Sequence, residues 1–150
     1  IKARNACTHT GLPAIADDSG LIVEALDGEP GVRSARYAGE GASDADNIAS
    51  VLAELAALGA VSRQAHYHCT LVFMRHADDP DPLLAQADWQ GSLLTEPRGE
   101  GGFGYDPVFW LPGQSCSVAE LDPAAKNRLG HRGRAMAQLL QGLRKALAAG

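Results

Sequence analysis

The sequence lacks two features that would point to particular classes of protein. No apolar run approaches the roughly 18 residues needed to cross a bilayer, so we expect no membrane span. Positive charge is also short, since 13 Lys and Arg stand against 18 Asp and Glu, for a formal net charge of −5. Because binding to a nucleic-acid polymer relies on clustered cations, this composition argues against such a partner.

Cysteine is scarce as well, and Cys7, Cys69 and Cys116 lie far apart in the chain. An odd number of cysteines without a Cys-x-x-Cys pair indicates neither a disulfide framework nor a zinc site. We therefore expect reduced thiols and a cytoplasmic protein. At 150 residues, with 45% hydrophobic and 21% charged residues, the chain has the length and composition of one globular domain, residues 1–150.

One acidic pair stands out in this composition. Asp17 and Asp18 lie between two apolar runs, a pattern that predicts two short strands meeting at a tight turn, with the acids at a sheet edge or end. Neighbouring carboxylates repel each other and normally require a cation or a hydrogen-bond network. Oxygen ligands of this kind suit Mg²⁺, which a substrate phosphate usually completes. A solvated turn is the alternative, because Asp-Asp-Ser-Gly is common turn composition.

The spacing of apolar residues predicts the other elements. Ser43 is a suitable N-cap for a helix that Gly59 ends, and Asp122-Pro123 opens a short helix that Gly130 interrupts. Alternation over 64–76, followed by a turn and an apolar run over 83–89, predicts a hairpin. Further elements are the end of a helix before Gly11, an ordered loop over 28–41 and a final helix after Gly130.

A glycine-rich stretch, residues 99–107, has the spacing G-x-G-x-x-G. It leads into Pro107 and an apolar run instead of a helix, so the dinucleotide-binding context is absent. What remains is a flexible backbone able to approach a ligand, with the aromatic rings of Phe103 and Tyr105 and the carboxylate of Asp106. The alternative is a hairpin loop whose aromatics fold into the core.

The densest basic cluster lies near the start of the final helix and comprises Lys126, His131, Arg132 and Arg134. Anions are favoured at this end of a helix, although a solvated helix junction would have the same composition. A second histidine pair, His66 and His68, shares one face of a predicted strand. Tetrahedral zinc needs more protein ligands than this pair supplies, so we favour surface or hydrogen-bonded histidines.

Taken together, these stretches resemble the inosine triphosphate pyrophosphatase family, whose members hydrolyse non-standard purine nucleoside triphosphates. The matching pieces occur in the family's order and span nearly the whole chain. They are 16–21 (ADDSGL), 34–39 (SARYAG), 101–107 (GGFGYDP), Lys126 and His131-Arg132.

The resemblance implies an α/β fold with an elongated mixed β-sheet flanked by helices, two lobes around a nucleotide cleft, and a homodimer. It implies hydrolysis of dITP, ITP and XTP to the monophosphate and pyrophosphate with Mg²⁺. Asp18 is then the catalytic proton acceptor, and Asp18 and Asp17 are the metal ligands. The implied substrate-binding residues are Ser19, Phe103, Gly104, Tyr105, Asp106, Lys126, His131 and Arg132.

Two departures from the family pattern leave an alternative open. Gly130 stands where the family usually has Ser before His-Arg, which removes a hydroxyl and loosens the local backbone. The family's Ser/Thr-x-Asn-x-x-Lys loop, which grips the triphosphate, and the acidic segment after it do not occur here, so we expect a domain without its N-terminal strand-loop-helix segment. The alternative function is a catalytically incompetent nucleotide-binding fragment. An aspartyl-phosphate phosphatase is disfavoured, because those enzymes space their acids as Asp-x-Asp.

Overall fold

The computed structural model describes residues 1–59 and 61–149, and this part of the chain forms one open sheet with helices packed against it. The helices are α1 (Lys2–Thr10), α2 (Asp44–Leu58), α3 (Pro123–Leu129) and α4 (His131–Ala149). The strands are β1 (Ala14–Val23), β2 (Gln64–Met74), β3 (Leu83–Leu93), β4 (Phe109–Leu111) and β5 (Cys116–Ser117). No helix in these two ranges is long and apolar enough to cross a membrane.

The five strands follow one another across the sheet in the order β1-β2-β3-β4-β5. The α/β class is confirmed, although every pairing between the described strands is antiparallel, whereas a mixed sheet was expected. The predicted hairpin is confirmed as β2 and β3, paired from Gln64 opposite Ser92 to Phe73 opposite Leu83. β3 extends four residues beyond Trp89, to Leu93, and Gly91 allows Phe109 and Trp110 of β4 to pack closely against it.

The prediction of two strands meeting at an acidic turn is wrong. β1 runs unbroken through Asp17 and Asp18 and pairs with β2 from Ala14 opposite Met74 to Val23 opposite Ala65. The turn composition is overridden because a long partner strand supplies a full ladder of hydrogen bonds. The predicted edge position is confirmed, since β1 is the first strand of the sheet.

The helix boundaries follow the predicted caps. Ser43 forms a capping box with Asp46 at the start of α2, and Gly59 follows its last residue. Asp122 accepts hydrogen bonds from the amides of Ala124 and Ala125 at the start of α3. Gly11 ends α1 in the left-handed conformation, at φ 68°.

The two faces of the sheet are covered by different helices. On one face α4 packs through Ala135 and Leu139 against Cys69 and Leu71 of β2. On the other, α1 packs through Ala3 and Cys7 against Met74. Because neighbouring residues of a strand point to opposite faces, Asp17 lies on the α4 face and Asp18 on the α1 face.

The turn between β2 and β3 is held by one buried carboxylate. Asp79 accepts hydrogen bonds from the Arg75 amide at 2.8 Å, from Arg75 Nη2 at 2.6 Å and from the Asp81 amide at 3.1 Å. These hydrogen bonds, first of all those of the Arg75 side chain, hold the pKa of the Asp79 carboxyl well below its usual range. The ionised form therefore stabilises the folded hairpin.

We expect Asp79→Asn to lower the urea midpoint of unfolding at pH 7, because the charged acceptor of this network is lost. A carboxyl whose pKa is depressed by folding stabilises the protein above its unfolded pKa of about 3.9, and this stabilisation is lost as the pH falls further. The difference between wild type and variant should therefore shrink below about pH 4. Asp78→Asn, at the exposed neighbouring position, is the control; an equal effect there would contradict the prediction.

Candidate functional site

A cavity of about 590 Å³ opens where β1, the glycine-rich stretch and the junction of α3 with α4 come together. This volume suits a ligand of drug or nucleotide size. Asp17 and Asp18 lie outside the lining of the cavity. All eight residues predicted to bind substrate line it: Ser19, Phe103, Gly104, Tyr105, Asp106, Lys126, His131 and Arg132.

Asp106 lies beneath the cavity and is almost completely buried, at 3% exposure. Its Oδ2 accepts a hydrogen bond from the Phe103 amide at 2.9 Å and an ion-paired hydrogen bond from Lys126 Nζ. Its Oδ1 accepts from the Tyr67 hydroxyl at 3.1 Å. Burial, and then the Asp106 carboxylate, raise the pKa of Tyr67 well above its usual range, so this hydroxyl remains a donor. Asp106 therefore holds the Lys126 side chain and the backbone of the glycine-rich stretch in fixed positions relative to each other.

Two cations lie over the ring of Phe103, a residue that is 57% exposed. Lys126 Nζ is 4.1 Å from the ring centroid and the guanidinium carbon of Arg132 is 5.5 Å from it. Both distances fall within the range of a cation–π attraction. The arrangement presents charged donors beside an exposed aromatic face, which suits a planar ligand with acceptor oxygens.

His131 forms the floor of the cavity and stacks on Tyr67, with ring centroids 4.7 Å apart. Desolvation by burial, and then the charges of Arg132 and Lys126, lower the pKa of His131 to about 4. The imidazole is therefore neutral at pH 7. Its Nδ1 is buried and has no hydrogen-bond partner in ranges 1–59 and 61–149.

The acidic pair is held by two different cations. Asp17 lies 3.2 Å from Arg132 Nη2, and Asp18 accepts a hydrogen bond from Lys2 Nζ at 2.8 Å. Arg132 also donates to Ser19 Oγ at 3.2 Å, so it links the acids' strand to the cavity. Both carboxylates are about half exposed, and each has room for another ligand.

A Mg²⁺ site built on one of these carboxylates fits the structure, because Mg²⁺ takes one or two carboxylates and completes its shell with water and phosphate. The two side chains occupy opposite faces of β1, so they do not form a pair aimed at one point. No cluster of three or more potential metal ligands occurs in the described part of the chain. His68 is instead hydrogen-bonded to Asp88 at 2.6 Å and to Thr70 at 2.9 Å.

At Gly130 the backbone packs closely beside the basic cluster. A Cβ there would lie 2.6 Å from the Lys126 carbonyl oxygen and 3.3 Å from the ring of Trp89. The Gly130 amide also donates to that carbonyl at 2.8 Å. The glycine therefore allows α3 and α4 to meet tightly and brings Lys126 beside His131.

Some cavity residues were not identified from the sequence. In the sequence Asp44 follows a helix N-cap, and Tyr67 and Trp89 lie in predicted strands, yet all three line the cavity. Tyr67 and Trp89 alternate inward on their strands in the same way as core residues, so no sequence signal separated them from the core. The indication from the sequence that Asp44 has a role beyond the helix is weak: the neighbouring Ser43 already supplies the N-cap, so Asp44 is not needed for it.

The fold and the cavity together define a class of protein: an α/β domain whose cleft offers cationic donors, a neutral imidazole and an aromatic face to a planar, oxygen-bearing ligand. The model of the Ham1 family matches residues 1–142. The chain belongs to the Ham1 family.

Relatives and solved structures agree with this family. The chain is 57% identical over 145 residues to the dITP/XTP pyrophosphatase of Idiomarina loihiensis, covering 97% of this chain and 72% of that protein. It is 59% identical over 147 residues to the dITP/XTP pyrophosphatase of Chromobacterium violaceum, covering 98% and 73%. A HAM1 protein from Coxiella burnetii superposes with a TM-score of 0.93 at 49% identity, over 96% of this chain and 73% of that one. The family resemblance drawn from the motifs is confirmed.

Proposed function

We propose that this chain hydrolyses non-standard purine nucleoside triphosphates, such as dITP, ITP and XTP, to the monophosphate and pyrophosphate. It is a hydrolase of acid anhydrides, as its dITP/XTP pyrophosphatase relatives support. The observation that carries the proposal is the donor set of the cavity: the side chains of Lys126 and Arg132 lie over Phe103, with the neutral imidazole of His131 below.

Base selection follows from this donor set. Hypoxanthine and xanthine carry an oxo acceptor at C6, where adenine carries an amino donor. Cationic donors pair with the oxo group and leave the adenine amino group unpaired, and an unpaired buried polar group is costly. The cavity therefore favours 6-oxopurines.

The reaction itself is proposed to take place beside β1, the strand that carries the two acids. Asp18, whose carboxylate is open to solvent, is the proposed proton acceptor for the attacking water and the proposed Mg²⁺ ligand. The family pattern makes Asp17 a second metal ligand, but Asp17 lies on the opposite face of β1 and pairs with Arg132, so we do not place it on the same ion. Mg²⁺, when bound, would neutralise phosphate charge and polarise the phosphorus centre. Ser19 lines the cavity and its Oγ accepts a hydrogen bond from Arg132, so it is placed to contact the substrate.

Product analysis tests the proposed reaction. Incubation of ITP with the protein and MgCl₂ should yield IMP and pyrophosphate in equal amounts, because a single attack at the α-phosphate gives this pair. ATP is the matched control and should be cleaved far more slowly. IDP and orthophosphate as first products would exclude this reaction, and ITP binding without turnover would favour the nucleotide-binding alternative.

Base recognition is tested by removing one donor. Lys126→Ala or Arg132→Ala should lose about 1 to 3 kcal/mol of the preference for ITP over ATP, the cost of an unmade charge-assisted hydrogen bond. The measurement is kcat/KM for both nucleotides. Arg128→Ala removes an exposed cation of α3 that does not line this cavity and should leave the preference intact. Equal losses for ITP and ATP would place the two cations on the phosphates.

Two further features of the protein are proposed. The family resemblance supports a homodimer, which sedimentation equilibrium would measure directly. A cytoplasmic location is supported by Cys7, Cys69 and Cys116, all of which carry free thiols.

A further inference from the structure

The first residue of α2 reaches across to the glycine-rich stretch. Asp44 Oδ2 accepts a hydrogen bond from the Gly104 amide at 2.7 Å, between residues 60 positions apart in the chain. Gly104 has φ 59°, a left-handed conformation that glycine adopts without strain. The contact lies at the cavity wall, since both residues line it.

This bond is one of two that hold the backbone around Phe103. The Phe103 amide donates to Asp106 at 2.9 Å, and the next amide, that of Gly104, donates to Asp44. Consecutive amides are thus held by carboxylates from two different parts of the fold. Gly102 and Gly104 flank Phe103, and both have positive φ. Glycine loses more backbone conformational entropy on ordering than any other residue, so ordering this segment is costly.

A second set of bonds joins the same two regions. The Tyr105 hydroxyl donates to the Ser34 carbonyl oxygen at 2.8 Å. Asn47 of α2, buried at 2% exposure, accepts from the Ala38 amide at 2.8 Å and donates to the Ala35 carbonyl at 3.3 Å. The 34–38 segment and the glycine-rich stretch are therefore both anchored to the first turns of α2.

We infer that Asp44 is a positioning residue, which holds the backbone at Gly104 so that the Phe103 ring stays under Lys126 and Arg132. Phe103 is 57% exposed as a residue, so packing alone does not fix its side chain. Without the bond, the loop would become ordered only when the base binds, and the entropy cost of that ordering would weaken the binding affinity. This inference rests on the proposed function, because the base is taken to bind beside Phe103.

A purely helical role for Asp44 is the alternative. An acid in the first turn stabilises a helix whatever else it contacts. Asp46 provides the matched control, because it lies in the same turn, closes the capping box with Ser43 and makes no hydrogen bond to the glycine-rich stretch. Asp44→Asn retains an acceptor oxygen of the same shape.

The test combines amide hydrogen exchange, followed by NMR, with calorimetric titration of IMP. We expect Asp44→Ala to speed exchange of the Gly104 amide by about tenfold or more and to weaken IMP binding by about tenfold, the scale of a lost hydrogen bond to a charged group. Asp44→Asn should stay within about threefold of wild type in both measurements. Asp46→Ala should lower the unfolding midpoint while leaving the Gly104 amide and IMP affinity unchanged.

Unchanged Gly104 exchange in Asp44→Ala would overturn the inference, as would an equal change in Asp46→Ala. Faster exchange with unaltered IMP affinity would also overturn it, because the bond would then be structural only. Failure of the wild type to bind IMP would count against the proposed function instead, and the exchange data would still decide whether Asp44 holds the loop.

Discussion

Replacing Asp18 with asparagine should lower kcat for ITP by on the order of 10²-fold or more, while the protein remains folded. The amide cannot take a proton from water and is a weaker ligand for a hard cation. Folding should be little affected, because the carboxylate is 59% exposed and its partner, Lys2, is 65% exposed. Exposed ion pairs contribute little to stability.

Steady-state kinetics with ITP and MgCl₂, together with a thermal melt, measure this effect. Asp27→Asn is the matched control, because Asp27 is an exposed acid at φ 51°, a conformation that asparagine tolerates well. Turnover close to that of wild type in a folded Asp18→Asn protein would remove Asp18 from the chemistry and return the acidic pair to a solvated surface role.

Replacing Asp106 with alanine should cost on the order of 3 to 5 kcal/mol in the free energy of unfolding, the scale for breaking a buried ion pair from one side. The Lys126 ammonium loses its counter-charge, while the Phe103 amide and the Tyr67 hydroxyl lose their acceptor. Since the ion pair with Asp106 also orients Lys126, the preference for ITP over ATP should fall in the same variant.

Urea denaturation measures the stability loss. Tyr67→Phe removes one of the three bonds to Asp106 without leaving a buried charge, and it should cost only about 1 kcal/mol. If Asp106→Ala were no more destabilising than Tyr67→Phe, the ion pair would contribute nothing beyond a single hydrogen bond.

Local signals in the sequence were sufficient for much of the fold. The capping box at Ser43 and the glycine after Leu58 set α2, because caps act within one turn of the residues that form them. Alternation over 64–76 correctly predicted the strand β2, in which Tyr67, Cys69 and Leu71 lie on one buried face. Both are properties of neighbouring residues, which is why they could be predicted.

The rest depended on residues distant in sequence. Turn composition around Asp17 and Asp18 predicted a break between two strands. Because β2 pairs with this segment along its whole length, β1 is instead continuous. The motifs indicated which residues belong to the site, and the structure brings those of the cavity together. The bonds that Asp106 and Asp44 make across the fold have no local pattern, so their roles beside Phe103 could not be predicted from the sequence.

The long-range bonds around the cavity also bear on the order in which the molecule assembles. The β2–β3 hairpin joins residues that are close in the chain, whereas Asp44 and Gly104 are 60 positions apart and Arg132 and Ser19 are 113 apart. Closing longer loops costs more chain entropy before any contact offsets it, so non-local contacts form slowly. We therefore expect the hairpin to fold early and the cavity wall to close late, so that the wall is also the region that opens most readily in the native state.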